Sequence, residues 1–220
     1  MMIDSRFPCR LGNLCGLLSP LLWWATILTS EAMLPGFDPV RMTISELAET
    51  GSPTADRMFV LAFLTTGAMN ALFGVFLIRT FRPSRLAILL GLLVIVNGAA
   101  RIGVGFHPCE PGCIATGRSN VQALHYLFAA IGFIAMISAS GLASALFRRY
   151  RGTRNLFGYT VLSGVLGFAC IAAMQWKGEA LQAAGLLERL SSASLTLWMF
   201  VVALWLWRLR VCDAPLRSRA

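Results

Sequence analysis

Six apolar stretches, each close to 20 residues long and separated by short polar connections, dominate this chain and leave little freedom in what it can fold into. They lie near 11–30, 59–78, 86–106, 124–147, 156–176 and 190–207. A bilayer's hydrocarbon layer of about 30 Å needs roughly 20 helical residues to cross it. Transmembrane strands would instead alternate apolar and polar residues over about 10 positions, and these runs are continuous. With 57% hydrophobic and 13% charged residues and a mean hydropathy of +0.69, the chain lies outside the range of water-soluble domains. The expected fold is all-α: a single polytopic domain over residues 1–220, built as a bundle of six transmembrane helices. A second domain has no room, since the longest connection, from Glu31 to about Met58, is too short to form one.

Charge sets the expected orientation. One set of alternate connections and both chain ends carry Arg6, Arg10, Arg79, Arg82, Arg85, Arg148, Arg149, Arg151, Arg154, Arg208, Arg210, Arg217 and Arg219, with only Asp4 and Asp213 among the acids. The other side holds the remaining basic residues and eight of the ten acids. Short loops rich in Lys and Arg stay on the cytoplasmic side, so both termini are expected inside. A cell membrane, crossed several times, is the expected location. A sequence pI near 10.1 raises nucleic acid as a partner, but the arginines sit in juxtamembrane loops where anionic lipid headgroups are the natural counter-charge. No basic stripe with interleaved aromatics is present. Membrane lipids are therefore the expected partners. The first stretch does not read as a cleavable leader, because Trp23 and Trp24 lie within it and no small-residue cleavage site follows. A three-plus-three internal repeat, the mark of many secondary transporters, is absent.

Polar chemistry is confined to the other rim. In the first loop, Thr43 and Glu46 have the spacing of a capping box, which places a short helix along the membrane surface. Ser45 and Glu46 then either cap that helix or face the mouth of the bundle. Ser52-Pro53 reads as a cap and first-turn proline opening the second span. In the third span Asn97 and Arg101 lie four apart on one helix face. Arg101 is the one charge placed inside a span, where such residues are costly unless paired. It either snorkels to the interface, pairs with Glu46, Glu110 or Glu188, or binds an anionic phosphate. Glu188 and Arg189, opening the last span, serve as an interfacial anchor or as part of the same binding face.

The densest polar cluster is Phe106-His107-Pro108-Cys109-Glu110-Pro111-Gly112-Cys113. In an oxidising compartment Cys109 and Cys113 form a disulfide-closed turn. Three intervening residues, where redox pairs have two, argue against a thioredoxin-like role. His107, Cys109, Cys113 and His125 are also a donor set soft enough for Cu(I) or Zn(II). His125, one of only two histidines in the chain, can instead form an acid–base pair with Glu110. A serine nucleophile, if there is one, is Ser45 or Ser119. The other cysteines, Cys9, Cys15, Cys170 and Cys212, read as plain thiols. Gly67, Asn70, Ala71 and Gly74 on the second span, and Ser163, Gly164 and Gly167 on the fifth, read as small faces for close helix packing. Trp198, Trp205 and Trp207 read as an interfacial belt.

Three of these pieces, in this order, resemble a bacterial and archaeal membrane family known as domain of unknown function 998. They are Pro35-Gly36-Phe37-Asp38-Pro39 through Ile44-Ser45-Glu46-Leu47, the Gly105-to-Cys113 loop followed by His125, and Gly185-Leu186-Leu187-Glu188-Arg189. The likeness covers nearly the whole chain and implies a six-helix fold with its polar site on the outer rim. It departs from the family pattern at His107, where phenylalanine is common, and at Glu110, where aspartate is. The family brings no established activity, leaves any cofactor unknown, and implies the inner or plasma membrane of a bacterium as the location. It is distantly similar to six- and seven-helix lipid-remodelling hydrolases built on a serine, an acid and three histidines, but this chain lacks the third histidine.

The residues thus support three readings. The first is binding or processing of a lipid or lipid-linked headgroup, with Glu110, His125 and Glu46 catalytic and Arg101, Ser45, Asn97, Glu188 and Arg189 binding. The second is a copper- or thiol-handling protein using Cys109 and Cys113. The third is a non-enzymatic membrane partner or small transporter.

Overall fold

The computed structural model describes residues 6–113 and 119–213, and the two C-terminal arginines of the charge argument, Arg217 and Arg219, lie outside them, as does Asp4. Six long helices are present: α1 (Arg6–Met33), α2 (Ala55–Thr80), α3 (Arg85–Phe106), α4 (Asn120–Phe147), α5 (Phe157–Leu181) and α6 (Ala184–Arg208). All six are long and apolar enough to cross a membrane, and the described residues contain no strand. The protein is a multi-pass integral membrane protein. The helices extend beyond the apolar runs that mark them. At 28 residues, α1 and α4 reach about 42 Å at 1.5 Å per residue. That length matches the hydrocarbon layer plus both headgroup regions, so the polar flanks continue the helix where water and headgroups solvate their side chains.

Each helix packs on its neighbours in sequence, and α6 closes back on α1. The result is an up-and-down ring. At one end lie the 79–85 and 148–154 connections, together with both ends of the described chain, where Arg10 Nη2 meets Asp213 Oδ1 at 3.0 Å. The first loop and the 107–113 loop occupy the other end. A large apolar core fills the terminal half around Phe73, Phe81, Phe147, Trp198 and Leu206. A second, around Trp23, Ile27, Leu47, Met58 and Phe63, lies under the first loop.

Two local devices bring the helices close. The glycine face expected on α2 meets a matching one on α3: a Cβ at Gly67 would lie 2.7 Å from the carbonyl oxygen of Gly98, and Gly74 opposes Gly91 in the same way. Backbones this near each other exclude any side chain larger than hydrogen. A polar relay then crosses the same layer. Ser19 Oγ donates to Asn70 Oδ1 at 2.6 Å, Asn70 Nδ2 to Asn97 Oδ1 at 2.9 Å, and Asn97 Nδ2 to the Gly132 carbonyl at 3.0 Å. It links α1 to α4 through consecutive helices, each donor satisfied inside the apolar layer.

Helix α2 is not uniform. After a first α turn, Met58–Thr65 winds as a π-helix before the α form resumes at Thr66. Carbonyls loosened by the wider turn are taken by hydroxyls: Thr65 donates to Val60 O at 2.7 Å, and Thr66 to Ala62 O. Such turns recur at functional sites, and this one brings Phe63 to the cavity described below and Thr66 to Arg101 in its wall.

Two expectations about local structure are corrected. Cys9 and Cys212 are not plain thiols but are disulfide-bonded, with Cα atoms 5.7 Å apart, because the ring closure brings the start of α1 beside the residues after α6. Cys15 and Cys170 are free and buried. Trp198 does not belong to an interfacial belt: it is wholly buried in the terminal-half core, where its indole donates to Thr160 Oγ1 at 3.2 Å.

Candidate functional site: a cavity under the first loop

The first loop is fastened down before it can cap anything. Arg189 Nη2 pairs with Glu31 Oε1 at 2.6 Å, and its Nη1 donates to the carbonyls of Met42 at 2.7 Å and Gly185 at 3.1 Å. The guanidinium also lies over the Phe37 ring. Next to it, buried Glu188 accepts the Ile44 backbone N–H at 2.7 Å. Glu188 and Arg189 therefore hold the loop against α6. Only Ser45–Ala48 is helical, as a single 3₁₀ turn. Glu46 reaches back to the Thr43 N–H, as the capping spacing predicts, but the Thr43 hydroxyl donates to the same carboxylate rather than accepting from the turn.

The second loop locks onto the first from above. Cys109 and Cys113 are disulfide-bonded, and Cys109 Sγ lies 3.5 Å from the Ser45 carbonyl oxygen. Thr50 donates its N–H to the Cys109 carbonyl at 2.9 Å, and the Gly112 N–H donates to Glu49 Oε2 at 2.6 Å. The backbone N–H of Glu110 donates to Gln122 Oε1 at 2.6 Å. Ser119 caps α4 by accepting the Gln122 N–H at 3.2 Å. Gly112, at φ +77°, makes the turn that lets the two cysteines meet.

Beneath this double cover is a half-open cavity of about 80 Å³. Five of the six helices and the loop contribute to it: Trp23 from α1, Phe63 from α2, Asn97, Arg101 and Val104 from α3, Phe128, Phe133 and Met136 from α4, Glu188, Ser192 and Thr196 from α6, and Ile44 with Ser45 from the loop. The lining is aromatic and aliphatic with a few converging polar groups, the usual character of a small-molecule site. Arg101 Nη1 donates to Thr66 Oγ1 at 3.0 Å, and the guanidinium sits 4.0 Å from the centre of the Trp23 ring. Trp23 is oriented by its own hydrogen bond, Nε1 to Ser192 Oγ at 3.0 Å, and Trp24 Nε1 binds Thr196 Oγ1 at 2.9 Å.

Pairing of Arg101 with Glu46, Glu110 or Glu188 does not occur. Among the described residues no carboxylate oxygen lies within ion-pair distance of it, because Glu46 is turned to Thr43 and Glu188 to Ile44. Nor do Glu110 and His125 form an acid–base pair. The imidazole of His125, 2% exposed, has its Nδ1 2.7 Å from the His107 carbonyl and its Nε2 3.1 Å from Ser45 Oγ. A second cavity, of about 240 Å³, is lined by Asp56, Phe59, Phe106, Pro108 and His125 and shares Phe63 and Val104 with the first.

Of the residues singled out from sequence, Ser45, Asn97, Arg101 and Glu188 meet in the first cavity, and His125 joins it through Ser45. Glu46, Glu110 and Arg189 lie in the cover rather than in the lining. His107 is occupied by the Gly103 carbonyl at 2.8 Å and stacks on Phe128. No group of three His, Cys, Asp or Glu side chains among the described residues is arranged to hold a metal ion. The sequence reading missed Trp23, Thr66, Ser192 and Thr196. Their signal was weak but real: each is a polar or amphipathic side chain inside an otherwise apolar span.

Fold and site together define a polytopic helical membrane protein with a half-open, partly polar cavity at one end of the bundle. The chain belongs to the family described as "Protein of unknown function (DUF998)", whose model matches residues 17–205. Comparison with curated proteins and with solved structures gave no match.

Proposed function

We propose that the protein binds the anionic headgroup of a membrane lipid in the cavity under the first loop, on the extracytoplasmic side that the arginine asymmetry assigns to that end. The observation that carries this reading is Arg101. It lines the cavity, is oriented by Thr66 and Trp23, and meets no carboxylate among the described residues. A guanidinium at membrane depth is costly without a counter-charge. Its planar fork matches a phosphate or carboxylate in two parallel hydrogen bonds. Asn97, Ser192 and Thr196 supply further hydroxyl and amide groups, while Phe128, Phe133, Met136 and Leu195 offer the apolar wall an acyl chain needs.

The copper- or thiol-handling alternative has less support. The two sulfurs of the loop are joined to each other and packed on the backbone of Ser45, which suits a staple.

The test is native mass spectrometry of the purified protein in mixed micelles, with phosphatidylglycerol titrated in. Wild type should retain the lipid. Arg101→Gln should weaken binding about tenfold or more, the loss of one charge-assisted contact of roughly 1.5–3 kcal/mol, and Arg101→Lys should restore part of it. Equal retention by wild type and by folded Arg101→Gln protein would refute the reading.

A further inference from the structure

The bond between Ser45 and His125 sits where two cavities meet. Ser45 lines the one that contains Arg101, and His125 lines the other. The tautomer of the histidine follows from its partners. A backbone carbonyl can only accept, so the 2.7 Å contact to His107 O puts a proton on Nδ1. In the neutral ring Nε2 is then unprotonated, and across 3.1 Å it accepts the hydroxyl proton of Ser45. This is the order of parts in an activated nucleophile: hydroxyl, general base, and a third group that fixes the base. Ser45 is itself held on both sides, by Glu188 through the neighbouring Ile44 N–H and by the Cys109 sulfur against its carbonyl.

We propose that Ser45 is the nucleophile, and His125 the general base, of an acyl-transfer reaction on a carboxylic ester of an anionic amphiphile. The proposal rests on the headgroup reading above for its substrate. In the first half-reaction Ser45 Oγ bonds to the ester carbonyl carbon while His125 Nε2 takes its proton. The carbon–alkoxide bond then breaks, and the leaving alkoxide recovers that proton from Nε2, leaving an acyl-serine. In the second half-reaction water, or the hydroxyl of a second lipid, loses a proton to Nε2 and adds to the acyl carbon. Ser45 leaves with the proton returned, and the product is a free carboxylic acid or a new ester. No oxidant, metal or cofactor is required. The second cavity gives the incoming water or alcohol a place beside His125 without passing the bound headgroup. Glu188 is a positioning residue in this scheme.

A hexadecyl fluorophosphonate is the probe: a nucleophilic serine bonds to its phosphorus and displaces fluoride. Purified full-length protein in mixed micelles is expected to gain one phosphonyl group by intact mass, mapped by peptide sequencing to Ser45. The label should be lost in Ser45→Ala and slowed at least about 100-fold in His125→Gln, with gel filtration confirming that each variant is folded. If Ser45→Ala does not fold, the peptide map of the wild-type protein alone decides the site. Folded wild type that retains phosphatidylglycerol but takes no label, or takes it elsewhere than Ser45, overturns the dyad and leaves the headgroup reading standing. Labelling of Ser45 in a protein that retains no anionic lipid supports the dyad and overturns the headgroup reading.

Discussion

Arg101 and Glu188 line the same cavity and are not partners. The cation is directed at Thr66 and the Trp23 ring, and the carboxylate at a backbone N–H of the loop above it. Each therefore has a separate structural consequence. Glu188→Ala would leave the buried Ile44 N–H without an acceptor, at a cost of about 2 kcal/mol for a hydrogen bond to a charged group. Glu188→Gln, whose amide oxygen can still accept, should cost less than half as much. Thermal unfolding in detergent and hydrogen exchange at Ile44 check this, with faster exchange expected in Glu188→Ala. From sequence, Arg101 was legible as an interior cation because it is the one charge deep in an apolar run. Its partner was not, since three glutamates lay within plausible reach and the choice among them depends on where the loop folds. The same limit applies to His125: a lone histidine one turn into α4 does not reveal that its acceptor and donor come from residues 18 and 80 positions away.

At the scale of elements, α2 and α3 depend on contact between backbones. Gly98→Ala would drive a methyl group into the Gly67 carbonyl and to 3.0 Å from the Ala71 nitrogen, and overpacking of this kind costs about 1–3 kcal/mol. Gly141→Ala in α4 is the control, because a Cβ there meets nothing within 4 Å, and its melting temperature should not fall. The glycine face of α2 was readable in the sequence. Its partner was equally available, since Gly91 and Gly98 repeat the seven-residue spacing of Gly67 and Gly74. The π-helical stretch of α2 carries no comparable signal, because its sequence, Met58–Thr65, is as apolar as any neighbouring turn. In the cover, replacing Cys109 and Cys113 together by alanine should remove about 2 kcal/mol, the chain-entropy value for so short a loop. The loss would appear as a lower melting temperature, with lipid retention per folded molecule kept unless the first loop detaches.

Across the whole molecule, the two disulfides lie at opposite ends of the bundle. A membrane that separates an oxidising from a reducing compartment therefore leaves one of them on the reducing side. The arginine distribution leads to the expectation that this one is Cys9–Cys212. In intact cells a membrane-permeant maleimide should label Cys9 and Cys212 as thiols and leave Cys109 and Cys113 unlabelled until reductant is added. After purification in air, all four should resist labelling without reductant. A C-terminal reporter fusion should read as cytoplasmic, and the opposite result would exchange the two predictions. The sequence by itself determined the class, the number of spans and the side on which positive charge gathers, because hydrocarbon permits only long apolar helices and anionic headgroups hold arginines in short loops. What only the tertiary structure decided is who meets whom. Closing six helices into a ring joins Cys9 to Cys212, stacks Trp23 on Arg101 and brings Ser45 of the first loop to His125 of the fourth helix. These contacts follow from packing angles and loop paths, which local composition does not encode.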